Sequence, residues 1–376
     1  MHGKGTMSKS MRALGLMSGT SIDGIDLALI ETDGTERVRR ISAASVAYAA
    51  DFRERLRSAL AEARSLTDRR ARPGHLAEIE RALTEHHADA ALRFIGDHAL
   101  QPFSIDCIGF HGQTVLHRPE IGLTVQLGDG DLLARRTGID VVYDMRAADC
   151  AAGGQGAPLV PVYHRALVER LRQRPIAIVN IGGVANVTWI GPGDQLIAFD
   201  TGPGNALIDD WMARKVGMPR DEAGRTALAG RAHDDVVTFY LTNSYFGSPP
   251  PKSLDRNAFP LELVSQLSLE DGAATLALFT ATAIARAREH MPEEPQLWII
   301  AGGGRRNRAI MTGLAGLVHS AVVPAEAVHL DGDTMEAEAW AFLAVRSLLG
   351  LPITFPGTTG VARPTTGGVL AKAPRH

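Results

Sequence analysis

The sequence predicts an α/β fold made of two similar domains around a central cleft. Three observations lead there. The chain has 376 residues, against roughly 150 for an ordinary single domain. Each half opens with a strand, a Gly-containing turn and a second strand, at 12–32 and at 176–190. Each half later has a strand running into a Gly turn, GFHG in the first and AGGG in the second. The order repeats without a residue-level repeat. The boundary is expected near Arg172–Pro175, dividing 1–173 from 174–376.

The elements follow in order. RALGLMSGTSIDGIDLALIET (12–32) reads as a β-hairpin, with an alternating strand after it at 38–48. Helices are expected at 52–64 and 75–100. In the second of these Leu76, Ile79, Leu83, Ala90 and Phe94 keep helical spacing, and the His86-His87 pair reads as a solvated face. Strands at 105–110, 123–127 and 139–143 surround a short helix at 131–137. The second half has a helix at 163–172 and three strands at 176–181, 184–190 and 196–199. Helices at 205–216, 269–291, 307–317 and 334–349 and a buried strand at 297–301 complete it. Residues 243–260, with SPPPKS inside, form the longest irregular stretch, a mobile or substrate-facing loop.

Composition narrows the function. Lys and Arg total 39 and Asp and Glu 42, for a net charge of −3 and a pI near 6.5. That balance gives no footprint for nucleic acid or an anionic membrane. Cys107 and Cys150 stand alone, which argues against a disulfide framework or a Cys-based zinc site. His111 and His117 are not placed on one face by their spacing, so they make no metal pair. The basic N-terminus has too short an apolar run for a secretory leader, and 273–287 is too short and too rich in Thr for a membrane span. A cytoplasmic protein is expected.

With 39 glycines, turns and ligand loops need explaining. Gly19, Thr20, Ser21, Asp23, Gly24 and Asp26 lie in the first hairpin, Gly182, Gly183 and Asn186 in the second, and Gly302, Gly303 and Gly304 at a later strand end. Backbone N–H groups at such turns can cradle phosphate where no side chain blocks approach. A nearby Asp can hold hydrated Mg²⁺. Each turn alone is also an ordinary hairpin; three at strand ends with acids close by point to nucleotide binding. A P-loop, a GxGxxG fingerprint and the protein-kinase signatures are all absent.

The set of turns is similar to that of the actin, Hsp70 and sugar-kinase superfamily. The fold that this implies is a duplicated actin-like (ribonuclease H-like) ATPase, with two hairpins on the ATP phosphates and the GGG turn beside adenosine. A closer resemblance runs through LGLMSGTSIDGID (14–26), GFHGQTVLHRP (109–119), QLGDGDLLARRTGIDVVYDMRAAD (126–149), GGQGAPLVP (153–161), NIGGVANVT (180–188), FDTGPGNALIDDW (199–211), AGGGRRN (301–307) and MEAEAWAFLA (335–344). These segments, in this order, resemble the anhydro-N-acetylmuramic acid kinase family. Met145, Gly130-Asp131 and Trp340 depart from its usual pattern at packing-scale positions. The resemblance implies ATP-dependent conversion of 1,6-anhydro-N-acetylmuramic acid to N-acetylmuramic acid 6-phosphate in cell-wall recycling, with one water consumed.

The residues can be matched to that chemistry. Opening the internal acetal has the electronic demand of glycoside hydrolysis, and a carboxylate must activate water. Asp200, at a strand end, is the candidate. The residues alone leave it open between base and helix N-cap; the resemblance selects the base. Asp23 and Glu336 are the candidate Mg²⁺ contacts, with Glu338 competing. The lactyl carboxylate of the implied substrate calls for a cation, for which Arg146 is the candidate, with Asp144 and Asp149 for hydroxyls. His111, Gln113 and Gln126, and the turn Gly202-Pro203-Gly204-Asn205, complete the expected sugar contacts. The implied partners are ATP and a small anhydro amino sugar, and a homodimer is compatible. A related sugar or acyl kinase of the same fold, or a nucleotide-gated binding protein, is the alternative.

Overall fold

The computed structural model describes residues 9–19 and 21–374, so Thr20 lies outside the described residues. In the first part of the chain β1 (Met11–Met17), β2 (Gly24–Thr32) and β3 (Val38–Ala47) make an antiparallel meander. Helices α1 (Ala50–Glu62) and α2 (Leu76–Asp97) follow, then β4 (Cys107–Phe110) and the ribbon β5 (Gln113–Arg118) with β6 (Leu123–Leu127). Next come α3 (Gly130–Thr137), β7 (Val141–Tyr143), α4 (Met145–Ala151) and α5 (Pro161–Leu167). The second part begins with β8 (Ile176–Ile181), β9 (Val184–Ile190) and β10 (Leu196–Pro203). It continues with α6 (Ala206–Val216), α7 (Arg225–Ala229), α8 (Asp234–Tyr240) and α9 (Leu269–Arg286). Then come β11 (Leu297–Ala301), α10 (Arg308–Leu317) and β12 (Ala321–Pro324), and last α11 (Met335–Leu348) and β13 (Val369–Ala371).

Two sheets result, ordered β13-β7-β4-β1-β2-β3 and β10-β9-β8-β11-β12. Numbered from its own first strand, each carries the five-strand order 3-2-1-4-5. In each, strands 1 to 3 are antiparallel neighbours and strands 1, 4 and 5 run parallel. The duplication is therefore real at the level of topology, and the order is that of the ribonuclease H-like, actin-like ATPase fold. Among the described residues no helix is long and apolar enough to cross a membrane.

The chain divides into two compact units. One holds the described residues up to Arg170 and from Thr334 on; the other is Leu171–Asp333. This corrects the expected run of the second domain to residue 376. The final segment returns to the first unit because α11 packs on β1 and β4, and β13 pairs antiparallel with β7.

Local sequence explains the main helices. In α2 the apolar positions at helical spacing are all buried, and His87 joins them. Its Nδ1 bonds the Leu83 carbonyl at 2.8 Å, and its ring packs on Phe110 with centroids 4.9 Å apart. Burial lowers its pKa to about 4, so it is a neutral core residue. Only His86 of the pair is exposed, which corrects the solvated-face reading. Side-chain caps start three helices: Asp129 accepts from Leu132 N–H, Ser268 from Asp271 N–H, and Asn307 from Ala309 and Ile310 N–H. The stretch 243–260 contains a 3₁₀ turn and buries Phe246 and Phe259 against the second core.

Helix α11 lies almost on the backbone of the first sheet. A Cβ at Gly15 would fall 1.8 Å from the Ala337 carbonyl oxygen, and one at Gly109 2.0 Å from that of Trp340. Overpacking a core usually costs about 1–3 kcal/mol, and here backbone meets backbone, with no rotamer to give way. We therefore expect Gly109→Ala to lower the melting temperature by several degrees in a thermal unfolding scan, whereas Gly138→Ala, whose Cβ would meet nothing within 4 Å, pays only the αL strain of φ +71°.

Candidate active site

Parallel strands deliver their carboxyl ends to one edge of a sheet, where ligand sites of open α/β sheets form. In the first unit β1, β4 and β7 therefore bring Ser18, His111 and Asp144 to one edge. In the second unit β8 and β11 end at Gly182 and Gly302. β10 runs parallel to β8, two antiparallel steps away, and so brings Asp200 to that edge as well.

The first turn is held by a buried polar chain. Ser18 Oγ donates to Gln113 Oε1 at 2.8 Å and lies 2.9 Å from the Tyr48 hydroxyl. Gln113 Nε2 donates to the Gly19 carbonyl at 3.1 Å. His111 Nδ1 lies 2.9 Å from the Ser18 carbonyl, and its Nε2 lies 3.1 Å from an Arg146 N–H group. A carbonyl can only accept and a guanidinium only donate, so the proton sits on Nδ1. Burial and the Arg146 charge hold His111 well below the ordinary histidine pKa, so it is neutral. Gln113 is fully buried with both ends of its amide used. It therefore supports the turn, a correction to its expected sugar contact.

The glycines separate by need. Gly24, Gly302 and Gly304 have backbone or side-chain atoms within 2.4 Å of where a Cβ would stand, so the fold itself requires them. At Gly19, Gly182, Gly183 and Gly303 a Cβ would meet nothing closer than 3.6 Å, and none has positive φ. Folding does not demand glycine at those four positions, and their backbone is left unobstructed. Asp23 is exposed and accepts from Ser21 Oγ at 2.8 Å. Asp26 sits on β2 and accepts from Ser45 across the strand pair.

Arg146 opens α4. It donates to the Gly156 carbonyl at 2.9 Å and stacks over Trp340 at 5.3 Å. Burial lowers its pKa to about 10, opposed by the charge of Glu336, so it stays protonated at neutral pH. Glu336 thus acts on the Arg146 cluster. Glu338 is buried and accepts from the Tyr163 hydroxyl at 2.6 Å and from Thr334 at 3.0 Å, which removes it as a metal contact. Asp149 is also buried, with one oxygen on Gly156 N–H at 2.6 Å and the other on the Thr359 hydroxyl at 2.7 Å. It ties the GGQG loop in place, a correction to its expected sugar contact. Asp144 has φ 55° and pairs with Arg69. Gln126 donates to Thr124 and Thr114. Among the described residues no group of three His, Cys, Asp or Glu could cage a metal ion.

In the second unit Asp200 stands in register with Asn186 and, through it, Asn180, so three polar side chains share one row of the sheet. Asn186 therefore lies beside the acid. Burial raises the Asp200 pKa to about 6, against the pull of its bond from Leu254 N–H. That bond, 2.8 Å, goes to Oδ2; Oδ1 accepts none among the described residues. The strand around it is gripped by the 243–260 segment. Asp200 N–H donates to the Lys252 carbonyl at 3.0 Å, and the Tyr245 hydroxyl donates to the Asp200 carbonyl at 2.5 Å. Lys252 Nζ anchors that strap on the Tyr245 carbonyl at 3.0 Å and the Phe246 carbonyl at 3.3 Å, and His290 Nε2 donates to the Phe246 carbonyl at 2.8 Å. Burial and Arg286 lower its pKa to about 8. Sequence reasoning missed Tyr245, Lys252 and His290; the Lys in SPPPKS was the available signal. Gly202, Pro203 and Gly204 are buried where β10 runs on past the expected strand end. Gly204, Asn205 and Ala206 donate N–H bonds of 2.9, 2.7 and 3.1 Å to the Gly182-Gly183 carbonyls. These bonds hold the second turn, and of the four residues expected to contact sugar only Asn205 is partly exposed.

The profile of one protein family, anhydro-N-acetylmuramic acid kinase, matches residues 11–373. The chain belongs to this family. It is 53% identical to the anhydro-N-acetylmuramic acid kinase of Methylobacterium nodulans, over 96% of this chain and all of that one. It is 55% identical to that of Rhodospirillum rubrum, over 95% and 93%. Among solved structures it is similar to Acidaminococcus fermentans (R)-2-hydroxyglutaryl-CoA dehydratase component A, with a TM-score of 0.49 and 11% identity over 90% of this chain and all of that one. The motif FDTGPGN that marked this anhydro-sugar kinase chain carries Asp200.

Linkage gives Asp200 a testable sign. Its native carboxyl is the weaker acid, so the native state loses stability relative to the unfolded chain as pH rises from about 4 to about 6. Asp200→Asn keeps an acceptor for Leu254 and removes the half-buried charge. We expect it to unfold at a higher temperature than the native protein at pH 8, by roughly 1–3 kcal/mol in stability, and the gap to close by pH 4.

Proposed function

We propose that this chain is an ATP-dependent kinase that opens the 1,6-anhydro ring of 1,6-anhydro-N-acetylmuramic acid and phosphorylates O6. Family membership across nearly the whole chain supports the reaction class. The observation that carries the mechanism is Asp200: a half-buried carboxylate with one oxygen fixed by Leu254 N–H and the other without a hydrogen bond from the described residues.

Asp200 Oδ1 takes a proton from a water molecule as the water oxygen bonds to C1. The C1–O6 bond breaks, and O6 bonds to the γ-phosphorus of ATP as the bond to the β,γ-bridging oxygen breaks. The products are N-acetylmuramic acid 6-phosphate, ADP and one proton, which leaves Asp200 for solvent. A single carboxylate serves, because the phosphoryl group captures the departing oxygen where an inverting glycosidase uses a second acid. The unhindered backbone at Gly19, Gly182 and Gly183 would bind phosphate oxygens, and Gly302 to Gly304 would border the adenosine. Arg146, His111 and Asp144 would form the sugar side.

Asp23 fits a Mg²⁺ contact. It is an exposed oxygen donor in the turn beside Gly19, and a cation held mostly by phosphates and waters needs only one or two carboxylates. When bound, the ion screens phosphate charge. Glu336 would act on it through water.

The direct test is incubation of the protein with ATP, Mg²⁺ and the anhydro sugar, with products read by mass spectrometry and ³¹P NMR. The expected product is a ring-opened sugar 6-phosphate formed mole for mole with ADP. Phosphorylation of a hydroxyl with the ring intact, or ATP hydrolysis alone, would contradict the proposal. Asp200→Asn is expected to lose about 10²–10⁴-fold in rate. In the native protein kcat/KM should rise with pH through about 6 as the base ionises, and EDTA should abolish turnover until Mg²⁺ is restored.

A further inference from the structure

A cavity of about 360 Å³ opens in the first unit and shares His111 and Asp144 with the Arg146 cluster. Its wall includes three arginines from a single turn, Arg69, Arg70 and Arg72. Two are answered by carboxylates: Arg72 pairs with Glu80 at 2.8 Å, and Arg69 pairs with Asp144. The third carboxylate of the wall to be considered, Asp129, is spent capping α3. Arg70 is exposed, and its guanidinium has no partner among the described residues. Burial and the charges of Arg70 and Arg72 lower the pKa of Arg69, which records the repulsion within the turn.

The same wall holds unmet hydrogen-bonding demand. Arg69 Nε, Arg72 Nε and Gln126 Oε1 are buried without a partner. The amide nitrogen of Gln126 is already given to Thr124 and Thr114. Buried polar atoms are rarely left so, because each unmet group costs free energy. Two orphan donors and a free cation call for an anion. One orphan acceptor calls for a hydroxyl or an N–H on the same ligand.

We propose that this cavity seats the lactyl carboxylate of the substrate, with Arg70 as the charge that selects it and Gln126 accepting from a hydroxyl or the amide N–H of the same sugar. The inference rests on the proposed function, whose sugar carries one charged group. It moves recognition of that charge away from Arg146, which is committed to Gly156, His111 and Trp340. A carboxylate beside Arg69 and Arg70 also relieves the repulsion between them.

The test is calorimetric binding of 1,6-anhydro-N-acetylmuramic acid and of its uncharged lactyl amide to the native protein and to Arg70→Gln, without ATP. The native protein should prefer the acid by roughly 10- to 100-fold, the range of a charge-assisted bond. Arg70→Gln should bring the two ligands within about threefold of each other, and Arg70→Lys should restore part of the preference. Arg70 is exposed and unpartnered, so loss through misfolding is not expected; an unchanged unfolding temperature checks this. Equal affinity of the native protein for both ligands, or a preference that survives Arg70→Gln, overturns the inference. Turnover of the acid by the native protein without any charge preference overturns it while the kinase reading stands. Neither binding nor turnover of the acid sinks both.

Discussion

Both units obey one topological constraint: their parallel strands must end at the same sheet edge. Strand order 3-2-1-4-5 places the first turn, the end of the fourth strand and the end of the fifth side by side. In the first sheet that edge gathers the Ser18 turn, His111 and Asp144 from segments spread along the first unit's chain. In the second it gathers Gly182, Asp200 and Gly302. The hydrogen bonds from Gln113 and His111 to the first turn, and from Gly204 to Ala206 onto the second, exist because the topology has made these segments neighbours. Small residues at Gly15 and Gly109 let α11 lie against the first sheet and bring Trp340 over Arg146.

The electrostatics at those edges trade stability for reactivity. A carboxylate that needed only to cap a helix would sit in solvent or accept several N–H bonds, either of which keeps its pKa low. Asp200 has one such bond and is half-buried, and desolvation raises its pKa to about 6. For the proposed base this is high enough to take up a proton and low enough to stay ionised at neutral pH. The strap from Tyr245 to Leu254 fixes the carboxylate through its backbone and leaves one oxygen open. The strap itself is held by Lys252 and His290, both donating to its carbonyls. His111 follows the opposite rule: fully buried beside a guanidinium, it stays neutral and serves as a bonded spacer between Ser18 and Arg146.

Much of this was legible in the sequence, and the parts that were not share physical causes. The two hairpins, α2, α9 and the buried strand β11 follow from apolar periodicity and Gly turns, which are local. The short elements β5, β12, β13 and α4 have three to seven residues, too few for a period to show. The return of α11 and β13 to the first unit depends on pairing with strands far back in the chain. Asp200, Arg146 and the Gly turns could be picked out because their motifs are compact. Gln113 and Asp149 were read as sugar contacts because a polar residue in a motif looks the same whether it faces a ligand or braces a turn; burial separates the two. Tyr245 and Lys252 act on Asp200 across some fifty residues that include α6, α7 and α8, and no spacing announces that.

The central claim is that water activated by Asp200 and phosphoryl capture of O6 belong to one reaction. Turnover in ¹⁸O-water, sampled before the new C1 hydroxyl can exchange, tests it most directly. One ¹⁸O atom should appear at C1 of the sugar 6-phosphate and none in its phosphoryl group. An unlabelled C1, or ¹⁸O in the phosphoryl oxygens, would contradict it.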